Sequence, residues 1–284
     1  MERKNSQKDK IIEVRDYVRQ QRHSDRNNIK KLRQKGETKV YLDESFLHHY
    51  HGNQFSWFDE EIGDYLERPS GSVRRWCFVH AMLENGLVPN SCHIFEAKKS
   101  TGDYHDMFNA LHFQEWWHEK LLPNLPPKCV IVMDRATYHL VPEEQIIPTT
   151  IRSHELQQWL TSKNISWETD WLKARLIQEV DSHIDKTPLV QKIAEGMGHK
   201  VERLPVHHPE LNPIETVWAI VKNHCGRLLR NGTTFKQVRQ RLENAFNDIT
   251  PDTCSGLFNQ IKKKELEYWN TDLQIDNLDD NLND

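Results

Sequence analysis

Cys129-Val-Ile-Val-Met133 is an unbroken apolar run that stops at Asp134. A strand with one face in water alternates apolar and polar side chains. A run without alternation belongs to a strand covered on both faces, as in a sheet with helices on either side. Shorter runs read as further strands: Val40-Tyr-Leu42 ending at Asp43-Glu44, Gln54 to Phe58, Trp76 to Val79, His93 to Phe95 and Val201 to Val206. Turn-rich Pro69-Ser-Gly-Ser72 and Glu84-Asn-Gly86 separate them. The expected class is therefore α/β, a mixed sheet flanked by helices.

Helical spacing fills the remainder. One helix is expected through Met107, Phe108, Leu111, Trp116 and Leu121, before Pro123, Pro126 and Pro127. Residues 154–197 are mostly helical, with Leu172, Leu176, Val180 and Ile184 at i, i+4 spacing, Leu189, Ile193 and Met197 beyond them, and Gly198 as a stop. Asn212-Pro213 opens another helix, with Asn as cap, Pro at the first helical position, and Ile214, Val217, Trp218 and Val221 on its buried stripe. Thr234 and Gln237 form a capping box before Phe235, Val238, Leu242, Ala245 and Phe246. A last helix follows Pro251.

The chain of 284 residues divides into a basic helical extension (1–36), one domain (37–270) and an acidic tail (271–284) expected to be disordered. No apolar run approaches the ~20 residues of a membrane span. The charged start, Met-Glu-Arg-Lys-Asn, has no apolar stretch behind it and does not read as a secretory signal. Five scattered cysteines without C-x-x-C spacing suit a reducing compartment and give no zinc pattern. The net charge of −4 conceals uneven patches. Residues 1–40 carry 13 Lys/Arg against 6 Asp/Glu, and residues 222–242 hold six bases and no acid, segments suited to a polyanion. No G-x-x-x-x-G-K-[ST] and no G-x-G-x-x-G is present, so no nucleotide cofactor is expected. The clusters His48-His-Tyr-His51 and His207-His208 lack metal-ligand spacing and read as loop residues.

Asp43 and Asp134 each end an apolar run, and in open α/β sheets ligand sites gather beyond the carboxyl ends of strands. The two face each other if their strands are neighbours. Each alone is equally a turn former or cap. Glu215, three residues past Asn212, can reach back to the cap's N–H, or point along the sheet edge; spacing leaves both open.

Three ordered blocks carry a resemblance: Tyr41-Leu-Asp43-Glu-Ser45, Val130-Ile-Val-Met-Asp134-Arg-Ala-Thr-Tyr-His139, and Leu204-Pro-Val-His-His-Pro-Glu-Leu-Asn-Pro-Ile-Glu215-Thr-Val-Trp218. Together they resemble the mariner-type DDE transposases over about residues 37–270. The resemblance implies a ribonuclease H-like sheet, with the helical stretch 142–199 inserted before the last strand and the catalytic helix. It implies that Asp43, Asp134 and Glu215 are the catalytic, metal-binding triad. Two Mg²⁺ (or Mn²⁺) ions ~3.5–4 Å apart suit phosphodiester chemistry, and a hard ion selects carboxylate oxygens. The implied reaction is endonuclease cleavage at transposon ends, then attack of the freed 3′-hydroxyl on target DNA, by a homodimer working in the nucleus. Two departures stand out: Arg135 follows the second Asp where the family commonly has Asn, and 80 residues separate Asp134 from Glu215.

Candidate DNA contacts are Arg74, Arg75, Lys98, Lys99, Arg135, Lys222, Arg227 and Arg230. A second reading is a domesticated, non-catalytic DNA-binding relative, because fewer than 40 residues precede the first strand where the family carries paired helix-turn-helix modules. A third is a ribonuclease H-like nuclease with another substrate.

Overall fold

Val130–Met133 is buried along its whole length, flanked by a strand on either side in a mixed sheet. The computed structural model describes residues 36–51, 74–97, 109–144, 149–205 and 208–282, with side chains through Thr271. The strand expected at Gln54–Phe58, and residues Met107, Phe108, Lys98 and Lys99, lie outside the described residues.

Six strands, β1 (Lys39–His48), β2 (Arg75–Leu83), β3 (Gly86–Leu87), β4 (His93–Glu96), β5 (Val130–Met133) and β6 (Lys200–Arg203), make one sheet in the order β3-β2-β1-β5-β6. β4 joins the outer edge of β2 beside β3. β1 is antiparallel to β2 and parallel to β5, and β5 is parallel to β6. β2 and β5 bury every residue, whereas β6 at the edge is charged and only partly covered.

Seven helices are described: α1 (Ala110–Trp116), α2 (Ser153–Ser162), α3 (Lys173–His183), α4 (Leu189–Gly196), α5 (Ile214–Arg227), α6 (Phe235–Asn247) and α7 (Pro251–Leu282). α5, α6 and α7 cover the face that carries Tyr41, Phe78, Val130 and Val132. The other face, with Val40, Leu42, Ile131 and Met133, packs against α1, the π-helical turn Trp117–Leu121 that extends it, and α4. α2 and α3 pair through a separate cluster of Leu156, Leu160, Leu176 and Val180.

Three helix expectations need correction. Leu172 is 79% exposed, because α3 begins at Lys173 and Leu172 is its extended cap. Leu111 is 61% exposed, and Phe113, Trp116 and Trp117 carry that buried stripe. The backbone of α7 continues to Leu282 where a disordered tail was expected; no Gly or Pro follows Gly256 to stop it. Elsewhere the cues fit: Gly198 takes φ +84° just past α4, and Thr234 and Gln237 form the capping box of α6.

Candidate active site

The register of β1 against β5 pairs Tyr41 with Val132, and Asp43 and Asp134 each lie two residues further on. Parallel neighbouring strands ~4.8 Å apart therefore deliver both aspartates to the same end of the sheet at the same level. Alternation puts Asp43 on the face of Tyr41, beneath α5. Trp218 of that helix donates its Nε1–H to Oδ2 of Asp43 at 3.2 Å. Glu215, one turn earlier on α5, lies close enough to Asp43 for each carboxyl to influence the other's ionisation.

Glu44 points to the opposite face, where it is buried. Its Oε1 is 2.9 Å from Nε2 of His139, which lies in a short 3-10 turn, Thr137–His139, just after β5. Nδ1 of the same ring is 2.8 Å from Oδ1 of Asp134, an ion-pair contact bent away from the ideal hydrogen-bond direction. Oδ1 also accepts the N–H of Ala136 at 3.0 Å. Arg203, at the end of β6, donates to the carbonyls of Asp134 (3.1 Å) and His139 (3.4 Å) and so fixes both ends of this loop.

The electrostatics divides the acids. Burial, then the charges of Glu44, Glu215 and Asp134, hold Asp43 well above the usual carboxylate range. Burial also raises Glu215, and Asp134 adds to this; Lys222 and the contact with Asp43 only partly offset it. Burial alone would raise Asp134, but His139, the Ala136 N–H and Arg203 outweigh it and bring it below the ordinary value. Buried His139, between two acids, is pushed up to about 9 against its own desolvation and is a cation at neutral pH. The Arg203 guanidinium is lowered to about 10 by burial and by nearby Arg135.

Crowded carboxylates whose mutual repulsion favours protonation are a donor set suited to a hard divalent cation. Asp43, Asp134 and Glu215 supply oxygen ligands only. Among the described residues, no three His, Cys, Asp or Glu side chains are close enough to grip an ion as they stand.

Asn212 does not cap α5 as expected. Its buried side chain donates to the carbonyl of Leu42 at 3.1 Å, tying the start of the helix to β1 beside Asp43. Glu215 is thus released from a reach back to the cap and stands at the sheet end, open to solvent on one side and desolvated on the side toward Asp43. His139, Glu44, Arg203 and Trp218 were not singled out as site residues. Three of them, Glu44, His139 and Trp218, stand inside the blocks quoted above, at fixed offsets from Asp43, Asp134 and Glu215.

The predicted DNA contacts scatter. Lys222 is half-buried 5.4 Å over the Phe46 ring, close enough to Glu215 and Asp43 to feel their charge. Arg227 and Arg230 are exposed near the end of α5, and Arg135 is half-buried beside Arg203. Arg74 is exposed and paired with Glu96 at 2.8 Å. Arg75 is only 8% exposed, because it opens β2 opposite His48, and so it is not the free surface cation expected. The larger of two described clefts, about 700 Å³ between Gly36, Lys39, Glu84, Pro251 and Lys262, lies where β1 begins, away from the carboxylates.

A family model described as DDE superfamily endonuclease matches residues 38–239, a span that takes in Asp43, Asp134 and Glu215. The chain belongs to this DDE superfamily. Among solved structures, the DDE domain is similar to the pre-cleavage Mos1 transpososome, with a TM-score of 0.54 at 11% identity over 89% of this chain and 63% of that one. It is similar to the Mos1 mariner paired end complex with Mn, at TM-score 0.54 and 11% identity over 90% and 62%. This DDE chain thus spans less than two thirds of those proteins, and the likeness fixes its fold as the ribonuclease H-like one. No match was found among curated proteins.

Proposed function

We propose that this DDE domain is the catalytic core of a DNA transposase, with Asp43, Asp134 and Glu215 as its metal ligands. The in-register placement of Asp43 and Asp134 on adjacent parallel strands, with Glu215 brought over them by α5, carries this reading. Burial and the charges of neighbouring acids raise Asp43 and Glu215, which supports it, since a bound cation offsets that cost.

Two divalent ions, when held there, supply Lewis-acid stabilisation for a phosphodiester under attack. The chain's own residues do the positioning. His139 and the Ala136 N–H fix one oxygen of Asp134, whose side chain remains 43% exposed. Trp218 fixes one oxygen of Asp43. Lys222 offers a cation to a phosphate at the edge of the site. The substrates are transposon-end and target DNA, handled by a homodimer in the nucleus. Mos1, the similar protein, has been crystallised as a transpososome and as a paired end complex.

Plasmid nicking and strand joining with Mg²⁺ or Mn²⁺, wild type beside Asp134→Asn, tests this. Activity in the wild type alone establishes the triad. DNA binding without nicking in either form favours the domesticated, non-catalytic reading.

A further inference from the structure

From Arg227 to Arg241 the chain carries five bases and no acid. It folds as the last residue of α5, a turn through Gly232 (φ +78°), and the first half of α6. Against it stands the start of β2. The rings of Trp76 and Phe235 stack at 4.3 Å and 10°, and Trp76 Nε1 donates to the Phe235 carbonyl at 3.0 Å. Each ring carries a guanidinium: Arg74 is 4.0 Å from the Phe235 centroid and Arg239 is 5.2 Å from that of Trp76. A cleft of about 560 Å³ opens here, with Lys236 and Glu243 also on its wall.

Two acids face these cations. Glu96 holds Arg74 at 2.8 Å and Glu243 holds Arg239 at 2.9 Å. Both pairs are solvent-exposed, a class worth ~0–1 kcal/mol, so an incoming anion displaces the carboxylates at little cost. The guanidiniums remain seated on the rings with N–H donors directed outward. Lys236 is exposed and has no ion-pair partner among the described residues. The Arg230 guanidinium donates to the carbonyls of Arg227 and Leu229.

The location matters as much as the charge. Trp76 pairs with Leu47, four residues past Asp43 on β1, so the cleft lies ~13 Å from the carboxylates at the same end of the sheet. At 3.4 Å of helix axis per nucleotide, that is about four base pairs. Trp76 and Phe235 are 8% and 6% exposed, so no base can stack on them. What the cleft can contact is backbone phosphate.

Resting on the transposase-core reading above, we propose that the cleft between β2 and α6 is a phosphate track. Arg74, Lys236 and Arg239 hold the DNA backbone there, about four base pairs from the strand at the carboxylates, without regard to sequence.

The test is duplex binding by the full chain, followed by fluorescence anisotropy across a salt titration in EDTA, on two unrelated sequences. The triple variant Arg74→Gln/Lys236→Gln/Arg239→Gln is expected to make the log–log salt slope shallower by roughly two to three, at ~0.9 per lost phosphate contact, equally on both sequences. Lys236→Glu, an exposed position that cannot unfold the protein, is expected to lose about one. Unchanged slopes in both variants overturn the proposal, as does a loss confined to one sequence, which means base readout. Tighter binding to an A-form RNA duplex than to DNA also overturns it. Because the assay contains no metal, its failure is separable from failure of the catalytic reading. Nicking with unchanged slopes sinks the track alone; shallower slopes without nicking sink only the catalysis.

Discussion

Nε2 of His139 stands 2.9 Å from Oε1 of Glu44, and neither side chain exposes more than 2% of its surface. The pair joins β1 to the loop after β5, and through its other nitrogen the same ring contacts Asp134. A charged histidine is thus buried between two acids, one structural and one at the candidate metal site.

This contact sets an alkaline limit on stability. The folded pKa of His139, about 9, lies above its ordinary 6.5, so its contribution is fully present below 6.5 and is lost as the pH rises through 9. The full effect is about 3 kcal/mol. Thermal midpoints measured from pH 6 to 10 should fall through this window. His139→Gln should flatten the slope while lowering stability at neutral pH by about 3 kcal/mol, since it strands Glu44.

His80 sets the acid limit. Its Nδ1 accepts the Ala81 N–H at 2.9 Å and lies 2.8 Å from Ser91 Oγ, and burial holds it down to about 3. With the folded value below 6.5, stability is complete above 6.5 and declines as the pH falls toward 3. A melting series from pH 7 to 4 should show this decline, and a His80→Gln protein should lack most of it.

Asp43→Asn should separate stability from chemistry. The raised pKa means that ionised Asp43 opposes folding at neutral pH, and removing its charge relieves the strain. Without divalent metal the variant should melt about 2–4 °C higher, for roughly 1 kcal/mol gained. It should also lose the stabilisation that added Mg²⁺ gives the wild type, and all nicking. A lower melting temperature in metal-free buffer would contradict the repulsion.

Arg203→Gln should disturb the loop rather than the sheet. It removes two charge-assisted hydrogen bonds to backbone carbonyls of Asp134 and His139, at a cost of about 1.5–3 kcal/mol. Nicking should fall by an order of magnitude or more, with duplex affinity unchanged. Comparable losses in both would place Arg203 in the DNA contact.

Features encoded locally were readable in the sequence. The apolar run before Asp134 announced a doubly covered strand, and Thr234 with Gln237 announced the start of α6. The stripe Ile214, Val217, Trp218 and Val221 is buried as its spacing indicates. The matched level of Asp43 and Asp134 needed one further fact, that β1 and β5 are neighbours, which periodicity does not encode. Glu44 and His139 are 95 residues apart, and nothing local links them. Asn212 misled because its residue type suits a cap, yet its side chain found a carbonyl 170 residues away on β1. Arg75 misled because a base beside Arg74 looks like surface charge, whereas its place at the start of β2, opposite the end of β1 at His48, buries it.

Asp43 and Glu44 are consecutive, yet one faces α5 and the other faces His139. A strand alternates sides with each residue, so gaining or losing one residue upstream in β1 would exchange their duties. The acid meant for the open site would be entombed beside His139, and the entombed acid would emerge beneath Trp218. Point changes around this strand are graded in effect, but an indel between Lys39 and Asp43 is all-or-none. The length of that five-residue stretch is therefore itself under constraint, independently of which side chains occupy it.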